Sequence, residues 1–319
     1  MRNKRQLKRN SVFQDTSYLN SQTYLDYLGR LKKLALSMFE WTNLPKSMNS
    51  RYLERCLYYE GQAALLWDKK YGFINTRACD SGYINIYGLP TVLNCYSYDY
   101  HSQRKTYMGY NEKSKKEYEA ILVMNTFERI PTAGTLKLYA ERLAEAQRTC
   151  DINIKAQRTP ILITTDQKQQ LTLKNIYEQY DGNSPVITVD KNGFTPEALK
   201  SINTEAPYIA DKVKEYMTQI WNEALTYLGV NNLVEKKERL IQSEANSNNE
   251  VINLNLESYL APRKEACKEF NEKFGLTGDN AIDVKVRSDL HNLVKEMDNA
   301  FREEYENVTT DLGEGVDYE

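Results

Sequence analysis

The stretch APYIADKVKEYMTQIWNEALTYLGVNNLVEKKER, Ala206 to Arg239, reads as a helix with a charged loop hung from its end. Pro207 suits the first helical turn, where its missing N–H is no loss. Thr204 or Glu205 caps the start, and Gly229 offers the left-handed conformation that stops the helix. Ile209, Val213, Tyr216, Ile220, Ala224 and Tyr227 recur at steps of three and four, predicting one apolar face. Past the stop come Asn231 and Asn232, then Glu235, Lys236, Lys237, Glu238 and Arg239. Cations held beside a packed helix in this way suit contact with a polyanion.

Working outward on the N-terminal side, a compact β-α-β insert precedes this helix: a strand over Ile161–Thr165, a short helix over Thr172–Tyr180, a turn at Asp181-Gly182-Asn183 and a strand over Val186–Val189. Asn192-Gly193 and Pro196 return the chain to the helix. Before the insert, Leu136, Ala140, Leu143, Gln147, Cys150 and Ile154 step by four and three, a near-heptad seam that ends at Pro160. Two long helices therefore bracket a small insert too short to be stable alone.

Between Tyr71 and Phe127, glycines and Pro90 punctuate short Tyr-, Val- and Ile-rich runs. Tyr83–Tyr87, Thr91–Tyr96, Lys105–Tyr110 and Ala120–Asn125 read as strands of a small β-barrel or sandwich of the meander kind. An amphipathic helix is expected over Ser17–Trp41 and a second, capped by Asn49 or Ser50, over Arg51–Trp67. On the C-terminal side, Ser243–Asn249 is polar and Asn-rich and is expected to be mobile. A helix is expected to begin at Pro262 and stop at Gly275, with a strand over Ile282–Val286 and a last helix over Ser288–Tyr305. No internal repeat is evident. The fold class is α+β.

The chain has 319 residues, 41% hydrophobic and 27% charged, with a net charge of −2, so no overall basic field marks a nucleic-acid binder. The charge is uneven: Arg2, Lys4, Arg5, Lys8 and Arg9 lie in a stretch free of acids, and the C-terminal tail is acidic. Cys56, Cys79, Cys95, Cys150 and Cys267 are odd in number and scattered, which fits a reduced, cytoplasmic folding environment. No apolar run is long enough for a membrane span, so no membrane partner is expected.

Catalytic patterns are missing. The two histidines, His101 and His291, lack ligand-type neighbours at metal spacing. Phosphate-loop and nucleophile-elbow patterns are absent, and Gly313-Glu314-Gly315 in the acidic tail opens no nucleotide motif. Asp279 and Asp283 form a pair only in a Gly/Asn-bounded loop. No enzyme, cofactor or metal is expected. What remains is basic: the N-terminal arm, Lys212 with Lys214, and Lys236, Lys237 and Arg239, point charges suited to a phosphate backbone. A solvated helix end is the plain alternative for any one of these clusters.

Several ordered blocks carry a resemblance. They include Phe39-Glu40-Trp41-x-Asn43-Leu44-Pro45, Gln157-x-Thr159-Pro160-Ile161-Leu162-Ile163, Gln170-Leu171-x-Leu173-Lys174, Ala206-Pro207-Tyr208, Asp211-Lys212 and Trp221-Asn222-Glu223. Leu228-Gly229, Glu235-Lys236-Lys237-Glu238-Arg239 and Arg263 with Glu265, Ala266 and Cys267 complete them. From about Phe39 to Asp289 the chain resembles the upper-collar connector, or portal protein, of small short-tailed phages that replicate by protein priming, a Picovirinae-like head-tail connector.

The resemblance implies a dodecameric ring at one capsid vertex with a channel for double-stranded DNA. It implies a basic arm (1–15), an SH3-like β-barrel wing with N-terminal helices (16–133), stem helices (134–158 and 204–229) and a β-α-β clip (159–203). A channel loop (230–249) and the C-terminal helices of wing and crown with the acidic tail (250–319) follow. Lys212, Lys236, Lys237 and Arg239 become channel contacts, and a second lumen-facing lysine of the family corresponds to Asn203, with Lys200 nearby. Arg2, Lys4, Arg5, Lys8 and Arg9 become an arm for nucleic acid or the packaging motor. The implied partners are further copies of the chain, major capsid and scaffolding proteins, the packaging ATPase with or without a packaging RNA, and the lower-collar or tail protein. The implied location is the portal vertex of the virion. A lower-collar or tail adaptor ring is the nearest alternative, and a single-strand nucleic-acid binder is the other class.

Overall fold

The computed structural model describes residues 11–106, 118–157, 161–163, 199–201, 207–231 and 242–290. They form helices α1 (Ser11–Ser37), α2 (Ser50–Glu60), α3 (Thr132–Gln157), α4 (Ala210–Leu228) and α5 (Gln242–Phe274). The strands are β1 (Phe39–Thr42), β2 (Gln62–Asp68), β3 (Gly72–Asp80), β4 (Val92–Tyr96), β5 (His101–Lys105), β6 (Ala120–Met124), β7 (Ile161–Ile163), β8 (Leu199–Ser201) and β9 (Asp283–Val286). The chain divides into two compact units, Met1–Ala144 with Gln219–Glu319, and Glu145–Thr218; the division falls inside α3 and α4.

The larger unit is built on a five-stranded antiparallel sheet in the order β5-β4-β3-β2-β6. β2 is an interior strand, between β3 and β6, and its residues 62–66 are buried on both faces. Ala64 and Leu66 join Ala78, Leu93, Cys95 and Ala120 in one core. Residues of opposite parity face helices: Phe73, opposite Trp67, meets Phe270 and Phe274 of α5 with ring centroids 5.5 and 4.9 Å away. Asn75 locks the sheet to α2, its side chain accepting from the Asn49 N–H and donating to the Asn49 carbonyl, while Asn49 caps α2 by accepting from the Tyr52 N–H.

The expected barrel does not close. β5 and β6 are the sheet edges, and one parallel bridge, Thr106 to Ala120, with the Glu119 N–H donating to the Lys105 carbonyl, brings them together. A single rung is not a ladder, so the sheet curls without becoming a barrel. β4 and β6 match the expected strands. Tyr83–Tyr87 is instead a hydrogen-bonded loop, and the third expected strand falls at His101–Lys105, with 107–110 outside the described residues.

Three further expectations fail for identifiable reasons. The second helix ends at Glu60, not Trp67, because Gly61 takes a left-handed φ of 74° where a Cβ would lie 2.0 Å from the Arg129 carbonyl oxygen. The first helix ends at Ser37, and Phe39–Thr42 is a strand paired with β9 (Phe39 opposite Val286, Trp41 opposite Val284). Alternating burial of Phe39, Glu40 and Trp41 is the period-2 signature, too short to outweigh the preceding helical period. Ser243–Asn249 is helical, because α5 starts at Gln242, and Pro262 lies inside α5 rather than at its start. Of the expected last helix, 288 and 289 form a turn and 290 is helical; from residue 291 on it lies outside the described residues.

In the smaller unit, β7 pairs antiparallel with β8, Ile161 opposite Ser201 and Ile163 opposite Leu199. Leu199–Ser201 was not expected as a strand. The helix 172–180, the turn 181–183 and the strand 186–189 lie outside the described residues.

The larger unit converges on a buried ion pair. Arg263 and Glu54 are 2% and 4% exposed. Arg263 Nε and Nη2 donate to Glu54 Oε1 and Oε2 at 3.1 and 2.9 Å, and Trp41 Nε1 also donates to Oε1 at 2.8 Å. Arg263 donates further to the carbonyls of Asn125 and Tyr259 and to Asn125 Oδ1, and its guanidinium lies 4.4 Å from the Phe39 ring centroid. The Asn125 amide donates in turn to the Ile130 carbonyl and to Thr132 Oγ1 at the start of α3. Each charge keeps hydrogen-bond partners after desolvation, the condition for a buried pair to be tolerated.

Two predictions follow from this packing. Arg263→Ala, which strands a buried carboxylate, lowers stability by about 3–5 kcal/mol, seen as a markedly lower unfolding midpoint. Replacing both partners, Glu54→Met with Arg263→Met, removes the stranded charge but leaves Trp41 Nε1 and the Asn125 acceptors without these partners, so it recovers only part of that loss. Gly229 (φ 73°) sits where a Cβ would lie 2.3 Å from the Leu256 backbone nitrogen of α5, so Gly229→Ala costs roughly 3 kcal/mol or more. Gly275→Ala (φ 66°, open space) costs only about 1–2 kcal/mol in denaturant titration.

Candidate nucleic-acid interface

The polyanion-facing residues expected from the sequence fall unevenly on the structure. Lys212 is exposed in the first turn of α4, beside exposed Asp211, Lys214 and Glu215. Lys236, Lys237 and Arg239, the arm residues Arg2, Lys4, Arg5, Lys8 and Arg9, and Asn203 lie outside the described residues. Lys200 is on β8, opposite Leu162.

Local chemistry places the turn that carries Lys212. The helix begins at Ala210, not at Pro207, with the Val213 N–H donating to the Ile209 carbonyl. Neither Thr204 nor Glu205 falls among the described residues. A side chain remote in sequence caps the start: Asn153 Oδ1 of α3 accepts from the Ile209 N–H, and its Nδ2 donates to the Pro207 carbonyl, both at 2.9 Å. Asn153 satisfies a helix-end donor from another helix, and nothing in the local sequence announces it. Asp211 offsets the positive end of the helix dipole, against which Lys212 stands unfavourably.

The buried face of α4 also differs from the expected stripe. Ala210, Met217, Ile220, Trp221, Ala224, Leu225 and Leu228 are buried, and Tyr216 is 47% exposed. The bulk of Trp221 and Met217 rotates the inward face away from Tyr216. On α3, the expected Leu136, Ala140, Leu143 and Cys150 are buried. In the larger unit α3 and α4 run antiparallel: the Tyr139 and Tyr227 rings are 6.3 Å apart, and Arg142 Nη1 donates to Glu223 Oε2 at 2.8 Å.

No group of three or more His, Cys, Asp or Glu side chains placed to hold a metal occurs among the described residues. Burial pushes the Cys56 and Cys95 thiols up to about 11, the opposite of an activated nucleophile. Burial, then the nearby Glu265 and Glu272, pushes the Glu269 carboxyl up to about 7; Glu269 lies on α5, which packs on β6. Among the described residues no helix is long and apolar enough to cross a membrane.

With this geometry in view, comparison with known families gives one match that spans nearly the whole chain: the model of the phage connector (GP10) covers residues 3–291. The chain belongs to the phage connector family. As a member of that family it is a structural protein of the bacteriophage virion and not an enzyme. Solved structures similar to it include three particles or portals. One is the portal and tail of native bacteriophage P68 (15% identity, 92% of this chain and 97% of that one, TM-score 0.40). Another is an HK97 family phage portal protein from Corynebacterium diphtheriae (8%, 84% and 93%, TM-score 0.44). The third is the virion of a native gene transfer agent particle (10%, 91% and 87%, TM-score 0.41).

The start of α4 is testable. Asn153→Ala removes both capping bonds, lowers stability by about 1–2 kcal/mol, and speeds hydrogen exchange of the amides at 209–213 while leaving those of 220–228 protected.

Proposed function

We propose that the protein forms a ring of about twelve copies at one capsid vertex, through which double-stranded DNA passes during packaging and ejection. The observation that carries this reading is the connector family match over residues 3–291. Two antiparallel helices, α3 and α4, suit a channel wall, and the segment between them, with β7 and β8, suits a clip outside the capsid. The curled sheet with α1 and α2 then serves as the wing, and the segment from residue 250 onward as wing and crown.

In this reading Lys212 lines the channel. One lysine copied around a ring becomes a belt of charge at one height, while Asp211 and Glu215 keep each copy's net contribution small. DNA is touched and not held, which a conduit requires. Lys236, Lys237 and Arg239, with Glu235 and Glu238 beside them, form a second belt on the channel loop. The basic arm, Arg2 to Arg9, engages the packaging ATPase or a packaging RNA, and the capsid, scaffolding and lower-collar or tail proteins dock on the outer faces.

Single-particle imaging of the purified protein at moderate salt tests the reading. A ring with an open lumen of roughly 20 Å or more, the girth of a duplex that carries a charge every ~1.7 Å, is expected. A monomer under all conditions, even beside its capsid partner, refutes it. Lys236→Ala with Lys237→Ala is expected to leave the ring intact and to change DNA passage or retention in filled capsids. Loss of assembly in that variant assigns the pair a structural role.

A further inference from the structure

From Ser81 to Tyr98 the chain contains no charged residue. Within this run the loop between β3 and β4 exposes four large apolar or aromatic side chains: Tyr83 (67%), Ile84 (65%), Ile86 (77%) and Tyr87 (69%). Single exposed apolar residues are ordinary, but four in five positions are not.

The loop is built and not merely exposed. Asn85 Oδ1 accepts from the Tyr87 and Leu89 N–H groups at 2.8 and 2.9 Å, and the Asn85 N–H donates to the Leu89 carbonyl at 2.8 Å. The Gly88 N–H returns to the Asn85 carbonyl, and the Thr91 N–H donates to the Tyr83 carbonyl, closing the base. An isolated bridge pairs Ile84 with Pro90. The backbone therefore presents the side chains in a fixed arrangement, so little conformational freedom is lost when they are covered.

We propose that this loop is a knob that packs against an apolar face of the next copy of the chain in the ring. The inference rests on the ring reading given above. The absence of charge disfavours a nucleic-acid backbone or an acidic peptide as the occupant. The four side chains expose roughly 500 Å² of surface, against about 800 Å² that each partner contributes to a standard stable interface, so the loop supplies most of one side. A ring contact is head-to-tail and joins two different patches of one chain.

The test uses the full-length protein. Ile84→Asp with Ile86→Asp changes only exposed positions, so circular dichroism and thermal unfolding should match the parent. Sedimentation should show the concentration at half-assembly raised by about 30-fold or more, as expected when two central contacts are lost. Ile84→Leu with Ile86→Leu should restore assembly. A photo-crosslinking amino acid placed at position 87 should yield a ladder of chain multiples. Unaltered assembly of a correctly folded aspartate variant, or crosslinks only to another virion protein, overturns the knob while leaving the ring standing. A parent protein that never assembles overturns both.

Discussion

The pairing of Glu54 with Arg263 is the constraint on which the larger unit depends. It joins residues 209 positions apart in sequence, and residues of β1, α2, α5 and the segment after β6 converge on it. Trp41 of β1, Asn125 at the end of β6 and Phe39 all spend a polar or aromatic contact there. An apolar cluster of the same volume would fill the space equally well. What it would lack is direction, because five donors in a rigid planar fork fit one arrangement of acceptors. The pair thereby sets the register between α2, α5 and the turn into α3.

Much of the architecture was legible in the sequence because it is local. The periodicity of Leu136, Ala140, Leu143 and Cys150 and the stop at Gly229 gave α3 and α4 nearly to their ends. The strands at Val92–Tyr96 and Ala120–Met124 followed from β-branched and aromatic runs between turn residues. What escaped was non-local. β1 exists because β9 lies beside it, and Leu199–Ser201 is a strand because Ile161–Ile163 is. The Asn-rich start of α5 is helical despite poor intrinsic propensity, and such propensity is readily overridden by tertiary context.

The candidate site divides the same way. A basic cluster can be read from any sequence, and Lys212 is exposed on a helix as expected. The groups that position it could not be read, since Asn153 acts on Pro207 and Ile209 from a separate helix. One signal was available for the buried pair. Glu54 stands between Leu53, Cys56, Leu57 and Tyr58, on a face that otherwise repeats apolar residues. An acid in such a place implies a cation to meet it, and Arg263 is that cation.

The pairing of β1 with β9 carries a consequence for synthesis. Phe39 and Trp41 lie opposite Val286 and Val284, near the far end of the described chain. A ribosome adding about 5–20 residues per second needs on the order of 10–50 s to make what lies between them. For that interval two large aromatic side chains wait without their strand partner, and the carboxylate of Glu54 waits without Arg263. The larger unit is thus a late folder, completed only after residue 286 has been made. Until that point the register that the β1–β9 pairing sets cannot form, whatever the rest of the chain has already folded.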